Sequence, residues 1–391
     1  MAKLGDFFTI ASGGTPDKRN PSYYENGTIP WVKTGDLKNQ YVPAGIECIT
    51  EEGLNNSSAK LFPPNTVLVA MYGATIGACS ILSYEAATNQ ACAAFLPNEN
   101  VLPTYLYYFL SSKRDQFVKD GVGGAQPNIS AGYLKNVQFG LIPMQQQIDI
   151  VEKLDKVEKL IALRKEQLAK LDQLVKSRFI ELFGEPIANQ KNLPVKTLKE
   201  ISTLITNGNT PKGGSENYVE NGITFLRSQN VWRNNIVLDD VAYIDEETHE
   251  NMKKSSVHYK DILITKTGRI NTENSSLGRA ALYLGEDDSA NINGHVYLVR
   301  LDDTVVPEYV VTILTGEAYR RYIRKVCVGG IDKRQINLDQ VEEFPIILPP
   351  KEQQEQFADF ARQIDKSKLA IQQSLDKLET LKKSLMQEYF G

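Results

Sequence analysis

The chain has 391 residues, 41% hydrophobic and 24% charged, which allows two or three ordinary domains and excludes a disordered chain. No apolar run is long enough to cross a membrane and no basic-then-apolar leader opens the sequence, so we expect a soluble cytoplasmic protein. The net charge of −4 argues against a simple basic nucleic-acid binder, although a local basic face can sit on an acidic body.

The first notable segment, residues 12–37, is polar and rich in turn residues, and it contains Asn20-Pro21-Ser22-Tyr23. This tetrapeptide is close to the Asn-Pro-Pro-Tyr loop in which adenine methyltransferases hold a flipped base. One proline is missing, however, and the candidate glycine-rich cofactor loop at residues 72–77 follows the tetrapeptide with no doubly wound pattern around it. Methyl transfer by this chain is therefore the weaker hypothesis.

The remainder of this first region mixes strand and helix signals. Short β-type runs occur at residues 66–73 and 92–97, and a helical stretch follows at residues 103–121. Gly, Asn and Pro separate the runs, which is typical of a mixed α+β unit of about 150 residues.

A long helix is predicted next, over residues 145–183, which contain neither Gly nor Pro and carry apolar residues at steps of three and four. A second such segment begins after Pro349-Pro350, a typical helix start, and both segments end in Phe-Gly. The first apolar stripe, which Arg164 and Arg178 interrupt, is Leu154, Val157, Ile161, Leu168, Leu171, Val175 and Leu182. The second is Phe357, Ile364, Ile371, Leu375, Leu378 and Leu385.

Between the two helices the first region is written again. Both copies contain Thr-Pro followed by Glu-Asn-Gly, and both later contain a Gly-Gly loop, a segment rich in glutamine and a long helix. The second copy has β-type runs at residues 261–268 and 295–301 and a helical stretch at residues 307–327. It lacks the Asn-Pro-Ser-Tyr tetrapeptide. A duplicated scaffold without duplicated chemistry predicts binding rather than catalysis.

These signals predict an α+β fold in four segments: globular units at residues 1–144 and 190–350, and helices at residues 145–189 and 351–391. Each long helix needs a partner for its apolar stripe, and the favoured partner is its own repeat in an antiparallel coiled coil. The two globular units would then be related by an approximate two-fold axis at the two ends of the helix pair. The alternative is that each helix packs only on its own globular unit.

Catalytic and metal-binding patterns are weak throughout the sequence. Its four cysteines contain no Cys-x-x-Cys pair and are interpreted as buried free thiols rather than a metal or disulfide framework. The three histidines, His249, His258 and His295, have no tight metal spacing and are interpreted as surface or structural residues. There is no Walker A sequence and no Gly-x-Ser-x-Gly elbow, so no catalytic or metal site is predicted.

Polar and basic residues on the predicted loops suit nucleic acid, because Arg and Lys read guanine while Asn and Gln read adenine. Candidate DNA-binding residues in the first unit are Lys18, Arg19, Lys33, Lys38, Asn39, Gln126 and Asn128. Those in the second unit are Lys212, Arg227, Gln229, Asn230, Arg233, Lys266, Arg269, Lys333, Arg334 and Gln335. The Gly-Gly loops place flexible backbone before several of these side chains. The alternative is that they are ordinary turns with solvated charges.

Taken in order and doubled, these motifs resemble the specificity subunits of type I restriction–modification systems over essentially the whole chain. The resemblance implies two target-recognition domains, each reading one half of a bipartite site in double-stranded DNA, and two helices that form a spacer and set the gap. It also implies two modification (methyltransferase) subunits and restriction (endonuclease and translocase) subunits as partners. S-adenosylmethionine, ATP and Mg²⁺ would then act in those partners, with no cofactor and no catalytic site in this chain.

Two other interpretations remain open: a self-contained DNA-modifying methyltransferase and a helical-rod protein adaptor. Binding of S-adenosylmethionine by the purified chain would favour the first, and the absence of a protected bipartite DNA site would favour the second. The two stripes also differ at matched positions, which predicts imperfect symmetry of the two partner docking sites. The mismatched pairs are Ile161 with Lys368, Arg164 with Ile371 and Val175 with Lys382.

Overall fold

The structure is a computed structural model that describes residues 2–122, 128–211, 213–272 and 274–391. The chain divides into two compact units, one formed by Met1–Lys165 with Gln373–Gly391 and the other by Glu166–Gln372. Each unit therefore contains one globular α+β region together with part of each long helix. The predicted α+β class and the duplication are confirmed.

The first unit is built on two four-stranded sheets, with strand orders β2-β9-β6-β7 and β4-β3-β8-β5. Its strands are β1 Ala2–Lys3, β2 Ile10–Ser12, β3 Ile29–Val32, β4 Cys48–Ile49, β5 Leu61–Phe62, β6 Val67–Ala70, β7 Cys79–Ile81, β8 Ala86–Thr88, β9 Cys92–Phe95 and β10 Gln138–Phe139. Its helices are α1 Leu4–Phe7, α2 Glu51–Asn55, α3 Pro103–Ser112, α4 Arg114–Asp120 and α5 Ala131–Lys135, followed by the start of α6 Met144–Phe183. Strands β6 and β9 are buried at every residue, which explains their continuous apolar sequences.

The second unit repeats this topology, with a four-stranded sheet in the order β12-β21-β17-β19 and a second sheet in the order β16-β13-β20. Its strands are β11 Val195–Thr197, β12 Ser202–Asn207, β13 Ile223–Leu226, β14 Val231–Trp232, β15 Asn235–Ile236, β16 Ala242–Ile244, β17 Ile262–Thr265, β18 Thr267–Arg269, β19 Ala280–Leu282, β20 Ala290–Ile292, β21 Val296–Leu301, β22 Val328–Gly329, β23 Lys333–Gln335 and β24 Pro345–Ile347. Its helices are α7 Glu246–Asn251, α8 Pro307–Thr315, α9 Glu317–Val326, α10 Leu338–Glu342 and the start of α11 Lys351–Phe390. The parallel pairing of β3 with β8 recurs as β13 with β20.

Both predicted long helices are confirmed, and inside each unit they run antiparallel. In the first unit Lys165 pairs with Glu379 at 2.9 Å, and further towards the start of α6 Glu158 pairs with Lys382 of α11. Residues nearer the start of α6 therefore contact residues nearer the end of α11, as in an antiparallel pair.

The same antiparallel contact continues in the second unit. There Asp172 of α6 pairs with Lys368 of α11 at 2.7 Å, and the Phe179 and Phe357 rings lie 5.4 Å apart. The two lysines that interrupt the second stripe, Lys368 and Lys382, therefore meet carboxylates of α6. This accounts for two of the three mismatches between the apolar stripes.

The helical stretches predicted at residues 103–121 and 307–327 are each divided into two helices. The first is broken at Lys113, between α3 and α4, and the second at Gly316, between α8 and α9. Gly316 has an extended backbone, with φ −70° and ψ 153°, and glycine is a weak helix former. The apolar spacing of these stretches does not encode the break.

The cysteines are free thiols, three of them buried and Cys48 half-buried. His249 is buried and its ring nitrogen Nδ1 lies 2.6 Å from the Asn291 side-chain oxygen, so it has a structural role in the core. Among the described residues, no cluster of three or more His, Cys, Asp or Glu is placed to hold a metal ion. None of the described helices is long and apolar enough to span a membrane.

A buried glutamine joins each long helix to a globular region in the same way. Gln147 accepts a hydrogen bond from the Leu102 N–H at 2.9 Å and donates to two backbone carbonyls. Gln354 likewise accepts from the Val306 N–H at 3.1 Å and donates to the Pro349 carbonyl at 2.9 Å. The glutamine-rich segment that marks each repeat therefore anchors the start of a long helix to its globular region.

Replacing either glutamine, as Gln147→Ala or Gln354→Ala, is expected to lower the free energy of unfolding by about 2 kcal/mol. The change leaves a backbone N–H and carbonyl groups buried without partners. Urea denaturation of the full chain measures the loss. The control is Gln145→Ala, because Gln145 is exposed on α6, the helix that carries Gln147. An equal loss for the control would contradict the role of the buried amide.

Burial also determines the reactivity of the cysteines. It raises the pKa of both Cys79 and Cys92 to about 12, and only a thiolate is alkylated readily. In the folded chain at pH 8 these two thiols are therefore expected to resist iodoacetamide, while half-buried Cys48 reacts first. Mass spectrometry of labelled peptides, with and without urea, measures the order. Labelling of Cys79 before Cys48 in the folded chain would show that the hydrophobic core of the first unit opens readily.

Candidate nucleic-acid interface

Five of the predicted DNA-binding residues come together in the second unit, although the sequence separates them by more than sixty positions. Strand β23 pairs antiparallel with both β18 and β22. The pairing places Arg269 opposite Lys333 and Thr267 opposite Gln335, and the Ile336 N–H donates to the Lys266 carbonyl at 3.0 Å. We call this three-stranded sheet, with Lys266 beside it, the basic sheet.

Arg334 occupies the middle of the basic sheet. Its two neighbours across the strands are Gly268 and Gly329, so neither cross-strand neighbour contributes a side chain beside it. Gly268 also lacks room for a side chain, because an added Cβ would lie 2.3 Å from the Leu277 nitrogen. The Arg334 Nε donates to the Gly330 carbonyl at 3.2 Å, which orients the guanidinium.

Two arginines of α9 hold the loop that follows β18. Arg320 donates to the Thr272 carbonyl at 3.4 Å, and Arg324 donates to the Ile270 carbonyl at 3.0 Å. They are four residues apart and so lie on one face of the helix. Sequence analysis did not select them, and the signal that could have done so is the spacing of arginines in the amphipathic sequence EAYRRYIRKV.

Three further predicted residues are organised around Asp240. Arg227 donates from Nη2 to the Asp240 carbonyl at 2.9 Å and to its carboxylate at 3.1 Å, and Gln229 donates to the same carboxylate. Asn230 is only 2% exposed, and its amide donates to the carbonyls of Val237 and Asp240. Gln229 is exposed and Arg227 is half-buried, whereas Asn230 is buried inside the loop and cannot reach a base in this conformation.

Arg233 lies at the tip of the β14–β15 hairpin and is exposed. Its guanidinium is 3.6 Å from the carboxylate of Glu317, the first residue of α9. Glu317 also pairs with Arg320 at 3.6 Å. The hairpin is thus linked to the helix that supports the basic sheet.

The first unit shows the same pairing of loops with fewer basic side chains. Asn128 forms bridges with Tyr72 and Val122, and the Ile129 N–H donates to the Met71 carbonyl at 2.9 Å. That last bond matches the one between Ile336 and Lys266 in the second unit. Gln126 and Lys212 lie outside the described residues.

The Asn-Pro-Ser-Tyr tetrapeptide forms a single 3₁₀ turn, Pro21–Tyr23, which Asn20 caps. The Asn20 side-chain oxygen accepts from the Ser22 N–H at 3.2 Å and from its hydroxyl at 2.9 Å. Asn20 is therefore occupied with shaping the turn, as Asn commonly is in such positions. The structure gives the tetrapeptide a local structural explanation.

Beside this turn lie Lys18 and Arg19, both exposed. The Arg19 guanidinium forms two short contacts with the Asp17 carboxylate and lowers the pKa of that group to about 2. Lys33 lies close to this turn region, paired with Glu47 and 5.8 Å from the centre of the Trp31 ring.

Lys38 and Asn39 face a different part of the first unit. They line a cavity together with Tyr108 and Asp155, on the side of α6. The Tyr108 hydroxyl donates to the Asp155 carboxylate at 2.6 Å, and burial followed by this bond raises the pKa of Tyr108. The described first-unit candidates therefore do not converge on one sheet as five of those in the second unit do.

Comparison with known proteins gives consistent matches. The family model for the type I restriction modification DNA specificity domain matches residues 1–173 and again residues 190–382. The specificity subunit of the type I restriction enzyme MjaIX of Methanocaldococcus jannaschii is 26% identical over 376 residues, which are 90% of this chain and 83% of that protein. The EcoR124I/EcoR124II specificity subunit of Escherichia coli is 30% identical over 158 residues, 39% of each chain.

Two solved structures share the fold over the whole chain. The S subunit of a type I restriction-modification system from M. genitalium has a TM-score of 0.58 and 14% identity, covering 100% of this chain and 95% of its own. A second, from work on complex assembly and conformational transition of the type I R-M system, has a TM-score of 0.60 and 17% identity, covering 100% and 96%.

Proposed function

The chain belongs to the family of type I restriction modification DNA specificity domains, and from this membership we propose how its two units divide the work. Each globular region reads one half of a bipartite sequence in double-stranded DNA. The paired helices α6 and α11 set the untouched gap between the halves. The chain is a specificity subunit, and its relatives carry that name rather than the name of a catalytic subunit.

The observation that carries this proposal is the repetition of one loop pairing in two different chemical versions. In both units the loop after the central strand pairs with the segment that follows the Gly-Gly loop, through Met71 with Ile129 and Lys266 with Ile336. The second unit adds Arg269, Lys333 and Arg334 at this place. A common frame with unlike side chains suits two unlike half-sites, because side chains at the base edges specify sequence.

We propose residues 1–144 and 190–350 as the recognition domains and residues 145–189 and 351–391 as the spacer. Two modification subunits dock on the spacer, and restriction subunits join them. Exposed apolar side chains along both helices support such docking. They are Leu160, Leu163, Leu174, Ile180, Leu369 and Leu381.

The partners also account for the acidic charge of the chain. Phosphate contacts supply much of the affinity of DNA-binding proteins, and partner subunits can provide them. We therefore propose that the isolated chain binds DNA weakly and the assembled complex binds it tightly. Nanomolar sequence-specific binding by the isolated chain at physiological salt would contradict this. The four free thiols fit a reducing compartment, and the proposed site of action is the cytoplasm.

The test of the proposed function is to express the chain with its modification subunits and sequence the methylated adenines in the host DNA. We expect one bipartite motif with a constant gap. A purified chain that binds S-adenosylmethionine would instead support a self-contained methyltransferase. An assembled complex that protects no bipartite site would support the protein-adaptor interpretation.

Arg334→Ala is expected to weaken binding to the second half-site by about 10- to 100-fold, because the arginine stands alone between two glycines in the basic sheet. Titration of the assembled complex against duplexes with either half-site mutated measures the change. The control is Arg321→Ala, which removes an exposed arginine of α9 in the same unit. If the variant loses binding to the modification subunits but keeps DNA recognition, the assignment of Arg334 to the DNA interface is wrong. Arg227→Ala is expected to act on the same half-site through the Asp240 loop.

A further inference from the structure

A cleft in the second unit is lined by side chains that include two arginines and several other hydrogen-bond donors. Its lining includes Trp232, Arg233, Asn274, Ser275 and Arg279, and no acid is among the lining residues that the structure describes. The cleft adjoins the basic sheet, because Ser275 lies over Gly268 and an added Cβ there would be 2.8 Å from its hydroxyl.

Arg279 is the unusual member of this cleft. It is only 7% exposed, yet among the described residues no carboxylate lies within ion-pair distance of it. Its Nε donates to the Ser275 carbonyl at 3.0 Å and its Nη2 donates to the Asn274 carbonyl. Buried charges are normally paired, whereas the partners of Arg279 in the described part of the chain are neutral carbonyls. Burial, and then the neighbouring Arg233, lower the pKa of Arg279.

The site is also rigid. The Arg279 guanidinium lies 3.8 Å from the centre of the Trp232 ring, and the indole N–H donates to the Gln229 carbonyl at 3.0 Å. The Arg279 N–H donates to the Thr265 hydroxyl at 2.8 Å, and at the hairpin tip the Asn234 N–H donates to the Ala280 carbonyl at 2.8 Å. The guanidinium is therefore fixed before any ligand arrives, which reduces the entropy lost on binding.

We propose that this cleft binds one phosphate of the DNA backbone at the second half-site, held by Arg279 and Arg233. The described bonds of Arg279 use Nε and Nη2, and Nη1 is the donor that this proposal assigns to the phosphate. Arginine presents only donors, which match the oxygens of a phosphodiester. A base is a poorer occupant, because Arg279 already covers one face of the indole on which a base would stack.

This inference rests on the proposed function and adds a contact that fixes register rather than sequence. Through Glu317, Arg233 is linked to α9 and so to the loop behind the basic sheet. A phosphate held here would lie next to the basic sheet, because Ser275 of the cleft lies over Gly268, the cross-strand neighbour of Arg334. The cleft would thus position the second half-site for reading.

The experiment uses the full chain assembled with its modification subunits and a duplex that contains its target. Single methylphosphonates, which remove one backbone charge, are placed along the second half-site. For the wild-type chain we expect about ten-fold weaker binding at one or two adjacent positions. Arg233→Gln and Arg279→Met are expected to bind more weakly and to lose sensitivity at those positions. In plots of log affinity against log salt concentration, the magnitude of their slope should fall by about 1, as expected for the loss of one phosphate contact.

Arg321→Gln is the matched control and should keep the wild-type pattern. The inference is overturned if Arg233→Gln retains full sensitivity at every methylphosphonate, and this exposed residue decides the matter even if Arg279→Met fails to fold. If inorganic phosphate competes for the cleft while no backbone position is sensitive, the inference is also overturned, because the cleft then binds a free anion and not a phosphate of DNA. A complex that protects no bipartite site would overturn the proposed function itself, and is recognised because wild-type binding then shows no sequence dependence.

Discussion

Phe183→Ala is expected to lower the free energy of unfolding of the second unit by about 3–5 kcal/mol. Phe183 is 1% exposed, and its ring lies 5.1 Å from both Phe179 and Tyr309 and 5.8 Å from Phe357. Removing it leaves a cavity where α6, α8 and α11 meet. Urea denaturation gives the loss, and hydrogen exchange resolved by peptide locates it. In the assembled complex, recognition of the second half-site should fall while that of the first persists.

The matched control is Phe390→Ala, which makes the same chemical change at the corresponding end of α11. The Phe390 ring lies 5.3 Å from Tyr105, as Phe183 lies against Tyr309 at the equivalent place. Phe390 belongs to the core of the first unit, so we expect its loss of stability to be confined to that unit. Equal losses in both units for either variant would contradict the division of the core.

The two long helices that end at Phe183 and Phe390 were predictable from the sequence. Helices were expected over residues 145–183 and after Pro350, and they run over Met144–Phe183 and Lys351–Phe390. Long segments without Gly or Pro and with regular apolar spacing encode a helix locally. Their antiparallel pairing was also predictable, because the chain returns through a whole globular region before the second helix begins.

The geometry of the basic sheet was not predictable in the same way. The candidates on this sheet, Lys266, Arg269, Lys333, Arg334 and Gln335, were selected as polar or basic side chains on predicted loops. The pairing of two three-residue strands depends instead on contacts distant in sequence. Residue type likewise could not distinguish exposed Gln229 from buried Asn230, since both are polar residues of one loop. Arg279 was overlooked for the same reason, because its burial against Trp232 arises only from tertiary packing.

The two units differ in a way that bears on recognition. Among the described residues, the candidates of the first unit are divided between the turn near Asp17, the cavity beside Asp155 and the bridges that Asn128 forms with Tyr72 and Val122. The second unit gathers five candidates on one sheet. The common frame therefore does not dictate where the polar side chains lie. We expect the two half-sites to be contacted through different sets of loops.

Asp261→Ala is expected to lower the free energy of unfolding of the second unit by about 3 kcal/mol. Asp261 is 2% exposed, and its carboxylate accepts from Arg300 Nε at 2.9 Å, from Arg300 Nη2 at 2.8 Å and from the His258 N–H at 2.7 Å. The variant leaves a guanidinium and a backbone N–H without their acceptor beside β17. Because the Arg300 side chain keeps 28% of its exposure, water relieves part of the penalty and the loss lies near the lower end for a buried pair. Urea denaturation of the full chain measures it.

A double-mutant cycle separates the pair from the packing around it. Arg300→Met alone leaves the buried carboxylate unpaired and should cost about as much as Asp261→Ala. The double variant with Asp261→Ala and Arg300→Met should recover part of the loss, because neither charge is then left alone. Additive losses would show that the two side chains stabilise the sheet independently. Since β17 leads directly into Lys266 and the basic sheet, the single variants should also weaken recognition of the second half-site before the unit unfolds.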